Sequence, residues 1–592
     1  MNTGAAPLLL ALQFPFEFIW GEYHGPDALL HDIQHSFGDG VLISLALLVG
    51  LCAHLRRALR DSPRWIPWAL AGITLVAFLL RLWVPRETIM NAWPYERFVP
   101  LARHMAEGFV LPAFGRVARI PLYVTDVIFR TDLFIATFTP LVLFAHARFV
   151  LKDDYSALAA AAIMAVLPNH IRFSRADTEI IQSICSSSVT FVVLYSALRE
   201  TDPRWRSWAY ALVFPLSLMT YWVRPENMVF YVLDLGAIVL TAGPMVSRKR
   251  RLLALGEVTL AAAIAIVFRI IPGYSHPVRE GLSLRTVQNF FEMGIDPAMN
   301  TLINPHATPP GLVVMVAVGA VVLWRRGDRG RTLFLFAWIL GLFMVHSYVR
   351  PTEPMMQARY HLNITTPFVL LAAASTPALL RLPRFVPWLL AAYLAASPLI
   401  HLRFIRDTDF NEMREFDFLR AQRGRIPPRC TVLEFAPEFG LDRVGYTFGL
   451  RLRRIGEREH SDGMISPQWN VVNSGRLAAP STDPEAHETL SPEAERILAA
   501  PPDCLYVYEG LSCQSHRPAS TPIAPVCAAL RERLDLRPVA ATTFPSRMYD
   551  EVNAGRVVTA PNGNTMCLTL LRPGEPIRLT LYRATPRAAA RP

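Results

Sequence analysis

Residues 86–130 read RETIMNAWPYERFVPLARHMAEGFVLPAFGRVARIPLYVTDVIFR, a 45-residue polar stretch between apolar runs at 66–84 and 132–151. Two helices can be joined by a few residues, and connections beyond about 15 residues are functional or unstructured. Here Tyr95, Phe98, Leu101 and Met105 recur at helical spacing, and Gly108 stands where such a helix would stop. The stretch reads as a short helix lying on a membrane surface, with a carboxylate, Glu96, near its start.

The chain on either side explains the membrane. Of 592 residues, 52% are hydrophobic and only 18% charged, whereas a soluble domain carries about a quarter charged residues. Mean hydropathy is +0.27. Apolar runs long enough to cross a bilayer as helices, about 17–25 residues, or nearly so, recur at about 41–55, 66–84, 132–151, 156–168, 180–198, 207–223, 228–243, 252–271, 310–324, 332–348, 364–381 and 385–401. The expected fold is therefore an all-α polytopic membrane domain of about twelve transmembrane helices over 41–401. Residues 1–40 read as an amphipathic lead-in.

Net charge is +11, which in a soluble chain would raise nucleic acid as a partner. Here the cations sit in short alternate loops: Arg56, Arg57, Arg60 and Arg64; Arg199, Arg204 and Arg206; Arg248 to Arg251; Arg325, Arg326, Arg329 and Arg331; Arg381 and Arg384. Such loops face the cytoplasm, so no nucleic acid is expected. The 86–130 stretch and everything after about 401 then face the other side, as in a bacterial inner-membrane protein with a periplasmic C-terminal domain.

Composition shifts after 401. Thr431-Val-Leu-Glu-Phe435 and Cys504-Leu-Tyr-Val-Tyr508 read as strands, and 488–500 and 524–534 as helices. Residues 402–583 are expected to form an extracytoplasmic α/β or α+β domain, and 584–592 a disordered tail. Cys430, Cys504, Cys513, Cys527 and Cys567 all fall beyond 401. An oxidising compartment allows disulfides there, but five is odd and spacing leaves the pairing open.

Polar clusters of the membrane half collect at the external ends of spans. Arg172, Arg175, Asp177 and Glu179 precede one span, Arg224 and Glu226 follow another, and Arg350, Glu353, Arg359, Tyr360 and His361 precede a third. Arginine forks suit phosphate oxygens, a carboxylate can act as general base, and paired carboxylates can hold a hard cation. A span-end arginine taken singly is ordinarily a snorkelling anchor; their common face is what points to a site.

Several of these motifs resemble the membrane-embedded glycosyltransferases of the GT-C class, which use polyprenyl-phosphate sugars and include protein mannosyltransferases, aminoarabinose transferases and oligosaccharyltransferases. Tyr95-Glu96, Phe98 with Ala102-Arg103, Gly108 and Ile120-Pro-Leu-Tyr123 are similar to the family's first external loop. Phe173-Ser-Arg-Ala-Asp-Thr-Glu179 resembles its second, Arg224-Pro-Glu226 its Arg-Pro-Glu at a span end, and Ala358-Arg-Tyr-His-Leu362 its late Arg-Tyr segment. The resemblance covers about 66–400. It implies an inverting transferase moving a sugar from the carrier to a lipid, glycan or protein acceptor. Glu96 or Glu87 would be the catalytic base, and Tyr95, Arg175, Arg224, Arg350, Arg359, Tyr360 and His361 would bind substrate. Asp177 and Glu179 would hold a divalent metal, Mg or Mn, or orient phosphate. The acidic pair usual in the first loop is out of register here, and the Trp-Trp-Asp motif of oligosaccharyltransferases is absent, which disfavours sequon glycosylation. Two alternatives stand beside this expectation. One is a transporter or flippase of lipid-linked glycans, whose sign would be charge in mid-span. The other is a non-catalytic membrane scaffold.

Overall fold

The computed structural model describes residues 54–60, 62–84, 124–175, 180–223, 225–241, 246–267, 300–305, 307–346, 361–402, 418–419, 421–435, 457–459, 465–467, 469–477, 488–510, 513–514, 523–545, 557–559, 565–567 and 576–587, with single positions between 287 and 295 and at 405 and 414. The chain divides into two compact units, the described residues before Asp407 belonging to one and those after it to the other.

The first unit is helical throughout. Helix α1, Trp65–Trp83, buries a single stripe of Ile66, Leu70, Ala77 and Arg81 and exposes Trp68, Leu75, Leu79 and Leu82. An apolar face of this size is a surface made for lipid or a partner. The helix stops because Pro85 follows, and Val84 is already extended at φ −74, ψ 136. Helix α2, Val124–Leu151, ends at Lys152, whose φ of 56 is left-handed. Helix α3, Asp154–Val166, is capped by Asp153, which accepts from Ser156 N at 2.7 Å. The short helix α4, Pro168–Arg172, turns away from α3 by 51°. Pro168 has no amide hydrogen to continue the ladder and forces Leu167 into an extended backbone.

Helix α5, Ile180–Arg199, is the hub of this unit: every residue but Tyr195 and Arg199 is buried. It packs on α2 and on α6, Pro203–Val223. Then come α7, Met228–Gly236, and α8, Arg248–Ala265, followed by α9, Pro310–Arg325, and α10, Arg329–His346. Helix α11, Thr365–Ala374, has the turn Leu362–Ile364 before it and Thr376–Leu379 after it, and α12, Phe385–Ile400, ends the unit.

The expected spans from 66 to 401 are all met by helices, but not all by spanning ones. Among the described residues four helices are long and apolar enough to cross a membrane: Trp65–Trp83, Asp132–Leu151, Ile180–Arg199 and Leu362–Leu379. The bent pair Asp154–Arg175 would make a fifth. Three others, Met228–Val239, Pro310–Arg325 and Phe385–Ile400, are apolar but shorter. About twelve membrane crossings are therefore not shown; the described residues hold four or five helices of spanning length. Two longer helices outside that set carry cations at their starts, α8 opening on Arg248-Lys-Arg-Arg251 and α6 holding Arg204 and Arg206 in its first turn. The run at 41–55 lies outside the described residues save for its last two positions.

The second unit is α/β. Strands β1, Thr431–Glu434; β2, Asn470–Asn473; β3, Leu505–Glu509; β4, Leu534–Pro545; and β5, Pro576–Pro586 form one sheet in the order β2-β1-β3-β5-β4. β1 runs parallel to β2 and β3, and β5 antiparallel to β3 and β4. Every residue of β1 and β3 is buried, as expected of central strands covered on both faces. Helices α13, Pro492–Ala499, and α14, Pro525–Arg533, supply Ile497, Leu498 and Leu530 to the core formed with Leu433, Val472, Leu505 and Val507. The 488–500 stretch is thus not one helix: Glu488–Leu490 is a strand paired with Gly475–Leu477, and Ser491 then caps α13. Disulfides join Cys430 to Cys504 and Cys513 to Cys527. Arg531 forms a fork on buried Glu509, with bonds of 2.7 and 2.6 Å, and that hydrogen bonding raises the Arg531 pKa.

Candidate functional site

The polar interior of the first unit is organised by α5. Its N-terminal half is built of Gln182, Ser183, Ser186, Ser187, Ser188 and Thr190, all buried. Small side chains let neighbouring helices approach closely, and each hydroxyl or amide must find a partner away from water. Gln182 Nε2 donates to Asp132 Oδ1 on α2 at 3.2 Å. Ser183 Oγ donates to Asn227 Oδ1 at 3.0 Å, and Asn227 Nδ2 donates to the Thr220 carbonyl at 2.7 Å. Ser188 meets Thr366 on α11 at 3.1 Å, and Thr190 meets Thr220 on α6 at 2.9 Å. One helix thus ties four neighbouring segments at one end of the bundle.

That end is where the predicted polar segments enter and leave. The turn Pro225–Asn227 carries Glu226 and is held by Ser183, while Leu362–Ile364 packs on α5 and α10. His361, just before that turn, is fully buried. Its Nδ1 lies 2.8 Å from Thr301 Oγ1 and accepts from Thr301 N at 3.2 Å, and its ring stacks on Phe343 at 4.9 Å. With Nδ1 an acceptor, the ring proton sits on Nε2. That nitrogen, and both polar atoms of buried Asn363, lack a hydrogen-bond partner among the described residues.

Arg175 does something else in the structure. Its Nη1 donates to the Leu82 carbonyl at 3.2 Å and the Val84 carbonyl at 2.9 Å, at the C-terminus of α1. Arg172, buried, lies over the Phe173 ring at 5.0 Å. Glu87, Tyr95, Glu96, Asp177, Glu179, Arg224, Arg350, Arg359 and Tyr360 lie outside the described residues. Among the described residues no three His, Cys, Asp or Glu side chains gather as a metal site would require.

Charge inside the helices was underestimated from sequence. Arg81, Asp132 and Asp234 are all buried in helices, and Tyr221 donates to Asp234. Arg81 is the best anchored: it donates to the carbonyls of Ala77, Met164 and Ala165 at 2.9–3.0 Å and to His170 Nδ1 at 2.7 Å. The available signal was an ionisable residue inside an apolar run, which merits attention by default.

No family model matches the chain, and neither does any curated protein. Among solved structures it is similar to the Archaeoglobus fulgidus oligosaccharyltransferase, in a crystal structure of its complex with zinc and sulfate. Identity is 11% and the TM-score 0.37, over 69% of this chain and 61% of that one. This chain therefore spans less than two thirds of that protein's length. A likeness of this size decides neither fold nor activity. The structure itself defines a helical unit with apolar helices of spanning length and a buried polar layer, and an α/β unit with two disulfides.

Proposed function

We propose that the chain is an integral membrane glycosyltransferase that moves a sugar from a polyprenyl-phosphate carrier to a lipid, glycan or protein acceptor on the extracytoplasmic face. The observation that carries this reading is the Ser183–Asn227 bond together with the packing of Leu362–Ile364 on α5. Two turns distant in sequence, Pro225–Asn227 and Leu362–Ile364, thus meet α5. A site handling a carrier in the bilayer and an acceptor from water needs such a convergence at the boundary. The two disulfides support an oxidising compartment for the second unit.

In this reading Glu96, with Glu87 as the alternative, takes the proton from the acceptor hydroxyl. The acceptor oxygen forms its bond to the anomeric carbon as the bond from that carbon to the carrier phosphate breaks. Arg224, Arg350 and Arg359, with Tyr95, Tyr360 and His361, would receive the charge that develops on the departing phosphate, whereas Arg175 is taken up by the Leu82 and Val84 carbonyls. Asp177 and Glu179 would hold a divalent cation, which when bound shares in neutralising that phosphate.

A transporter reading draws support from the broken α3–α4 pair and from buried charge, since half-helix ends are where transporters bind ions. Here the break is already filled. Arg81 takes the Met164 and Ala165 carbonyls, and Ser397 donates to that of Val166 at 3.1 Å, so these three carbonyls are already satisfied by the chain itself. The deciding experiment is turnover of purified Glu96→Gln and Glu87→Gln with a polyprenyl-phosphate sugar. Loss of a general base costs about 10²–10⁴-fold. Glu96→Gln should lose transfer at unchanged carrier binding and Glu87→Gln should keep much of it. Transfer surviving in both variants and in their combination would refute the reading.

A further inference from the structure

The far end of α5 holds a polar cavity that the transfer reading does not use. It is about 350 Å³ in volume and is lined by Arg57, Arg148, Lys152 and Arg199, with Tyr195, Ser196 and Glu200. Small-molecule sites begin at about 300 Å³. Ser183 and Arg199 are 16 positions apart on one helix, so at 1.5 Å per residue this cavity lies roughly 24 Å along the axis from the polar layer.

Four cations face one carboxylate in the lining, and that carboxylate is fully engaged. Glu200 pairs with Arg57 and accepts from Thr201 N and Asp202 N at 2.7 and 2.9 Å. Asp154, beside the cavity, is held by Arg148 at 2.6 Å and Ser62 at 2.9 Å. Asp153 caps α3. Lys152 forms no ion pair with any described residue, and it sits at φ 56, a conformation glycine or asparagine would adopt at lower cost. Two hydroxyls in the lining, Tyr195 Oη and Ser196 Oγ, are buried without a hydrogen-bond partner. Ser196 itself is 6% exposed. A buried donor left unmatched beside a basic cavity calls for an acceptor that is missing from the chain. The Tyr195 ring also borders an apolar crevice with Phe149, Phe191 and Phe334.

We propose that this cavity binds a phosphate ester, with Lys152, Arg57, Arg148 and Arg199 opposing its charge and the Tyr195 and Ser196 hydroxyls donating to its oxygens. Arg57 and Arg199 belong to the short basic loops that the positive-inside pattern puts on the cytoplasmic side, and Arg148 and Lys152 stand at the end of α2 beside them; basic pockets between helices on that side take anionic lipid headgroups. A soluble phosphate ester offers the same chemistry, and the experiment separates the two.

The full chain is placed in phosphatidylcholine nanodiscs with and without phosphatidylglycerol, and in detergent with and without glycerol 3-phosphate, and its melting is followed. A rise with phosphatidylglycerol alone assigns the site to a lipid headgroup; a rise with glycerol 3-phosphate as well assigns it to a soluble ester. No rise with either overturns the proposal. Lys152→Gly removes a cation and relieves the left-handed strain, and Ser196→Ala removes an unmatched donor, so both variants should melt no lower than wild type without ligand. Each should bind the effective probe more weakly, Lys152→Gly by about fivefold, the weight of one cation at a lipid surface. Unchanged binding in both variants overturns the assignment to this cavity.

Discussion

Arg81 and Arg175 each close the end of a helix that belongs to the other's neighbourhood. Arg81, on α1, donates to the Met164 and Ala165 carbonyls that end α3; Arg175, beyond α4, donates to the Leu82 and Val84 carbonyls that end α1. A helix leaves its last carbonyls without partners and carries negative potential there, so a guanidinium fork satisfies both needs. Proline made both gaps, at Pro85 and Pro168.

Replacing Arg81 by methionine should therefore destabilise the first unit by about 3 kcal/mol or more, since each orphaned buried acceptor costs about 1–3 kcal/mol. Arg81→Lys keeps the charge but cannot span two carbonyls and the His170 ring at once, and should recover less than half of the loss. Thermal unfolding in detergent, followed on the full chain, checks both. A lysine variant as stable as wild type would show that charge alone matters there.

Gly319 gives a second prediction. A Cβ built on it would collide with the Leu371 carbonyl and press on Ser375 N, so α9 and α11 touch backbone to backbone at this point. Small residues at helix crossings permit such contact in membranes. Gly319→Ala should cost about 1–3 kcal/mol as overpacking. Gly256→Ala on α8, where nothing lies within 4 Å, should be neutral or stabilising by up to about 1 kcal/mol. Equal effects from the two would remove the close approach as the cause.

Helix positions in the first unit were legible because apolar runs and their proline and arginine boundaries are strong local signals. So were β1, β3 and α14, where β-rich or helical segments are bounded by turns. What stayed hidden depends on tertiary partners. Asp132 and Asp234 vanish in the average hydropathy of their runs, and Arg81 looks like a span-end anchor until α3 is seen to break beside it. The reading of 488–500 as one helix passed over Ser491-Pro492, a cap followed by an N1 proline that marks the start of α13, and the strand at 488–490 depends on pairing with 475–477. Disulfide pairing was likewise set by sheet order: Cys430 and Cys504 each precede one of two adjacent parallel strands. The buried polar layer of α5, Gln182, Ser183 and Ser188, was not legible, because serines in an apolar run read as filler.

That pairing makes the third prediction. The Cys430–Cys504 bond closes a loop with a separation of 74 residues, for which the chain-entropy model gives about 4 kcal/mol at 25 °C. Cys430→Ser, Cys504→Ser and the double variant should lower the melting of the second unit by the same amount, because any one change opens the loop. Reduction of the wild-type chain should lower it at least as far, the Cys513–Cys527 bond opening as well. A single variant markedly worse than the double would point to mispairing of the thiol left behind.

The last prediction concerns the Ser183–Asn227 bond. Asn227 is fully buried and holds the turn that follows position 224 against α5, through Ser183 on one side and the Thr220 carbonyl on the other. If Arg224 binds carrier phosphate, loss of this bond would displace the turn next to it in sequence, and misplacement by about 1 Å can cost a hundredfold. Asn227→Ala should weaken binding of a polyprenyl-phosphate analogue at least tenfold, about 1.4 kcal/mol. Ser183→Ala should do part of the same, and the double variant should be little worse than Asn227→Ala alone, since both act through one contact. A purely structural role predicts a different pattern: melting falls in all three while binding per folded molecule holds. Measuring analogue affinity on the folded fraction separates the two, and an unchanged affinity in Asn227→Ala would detach this turn from the carrier site.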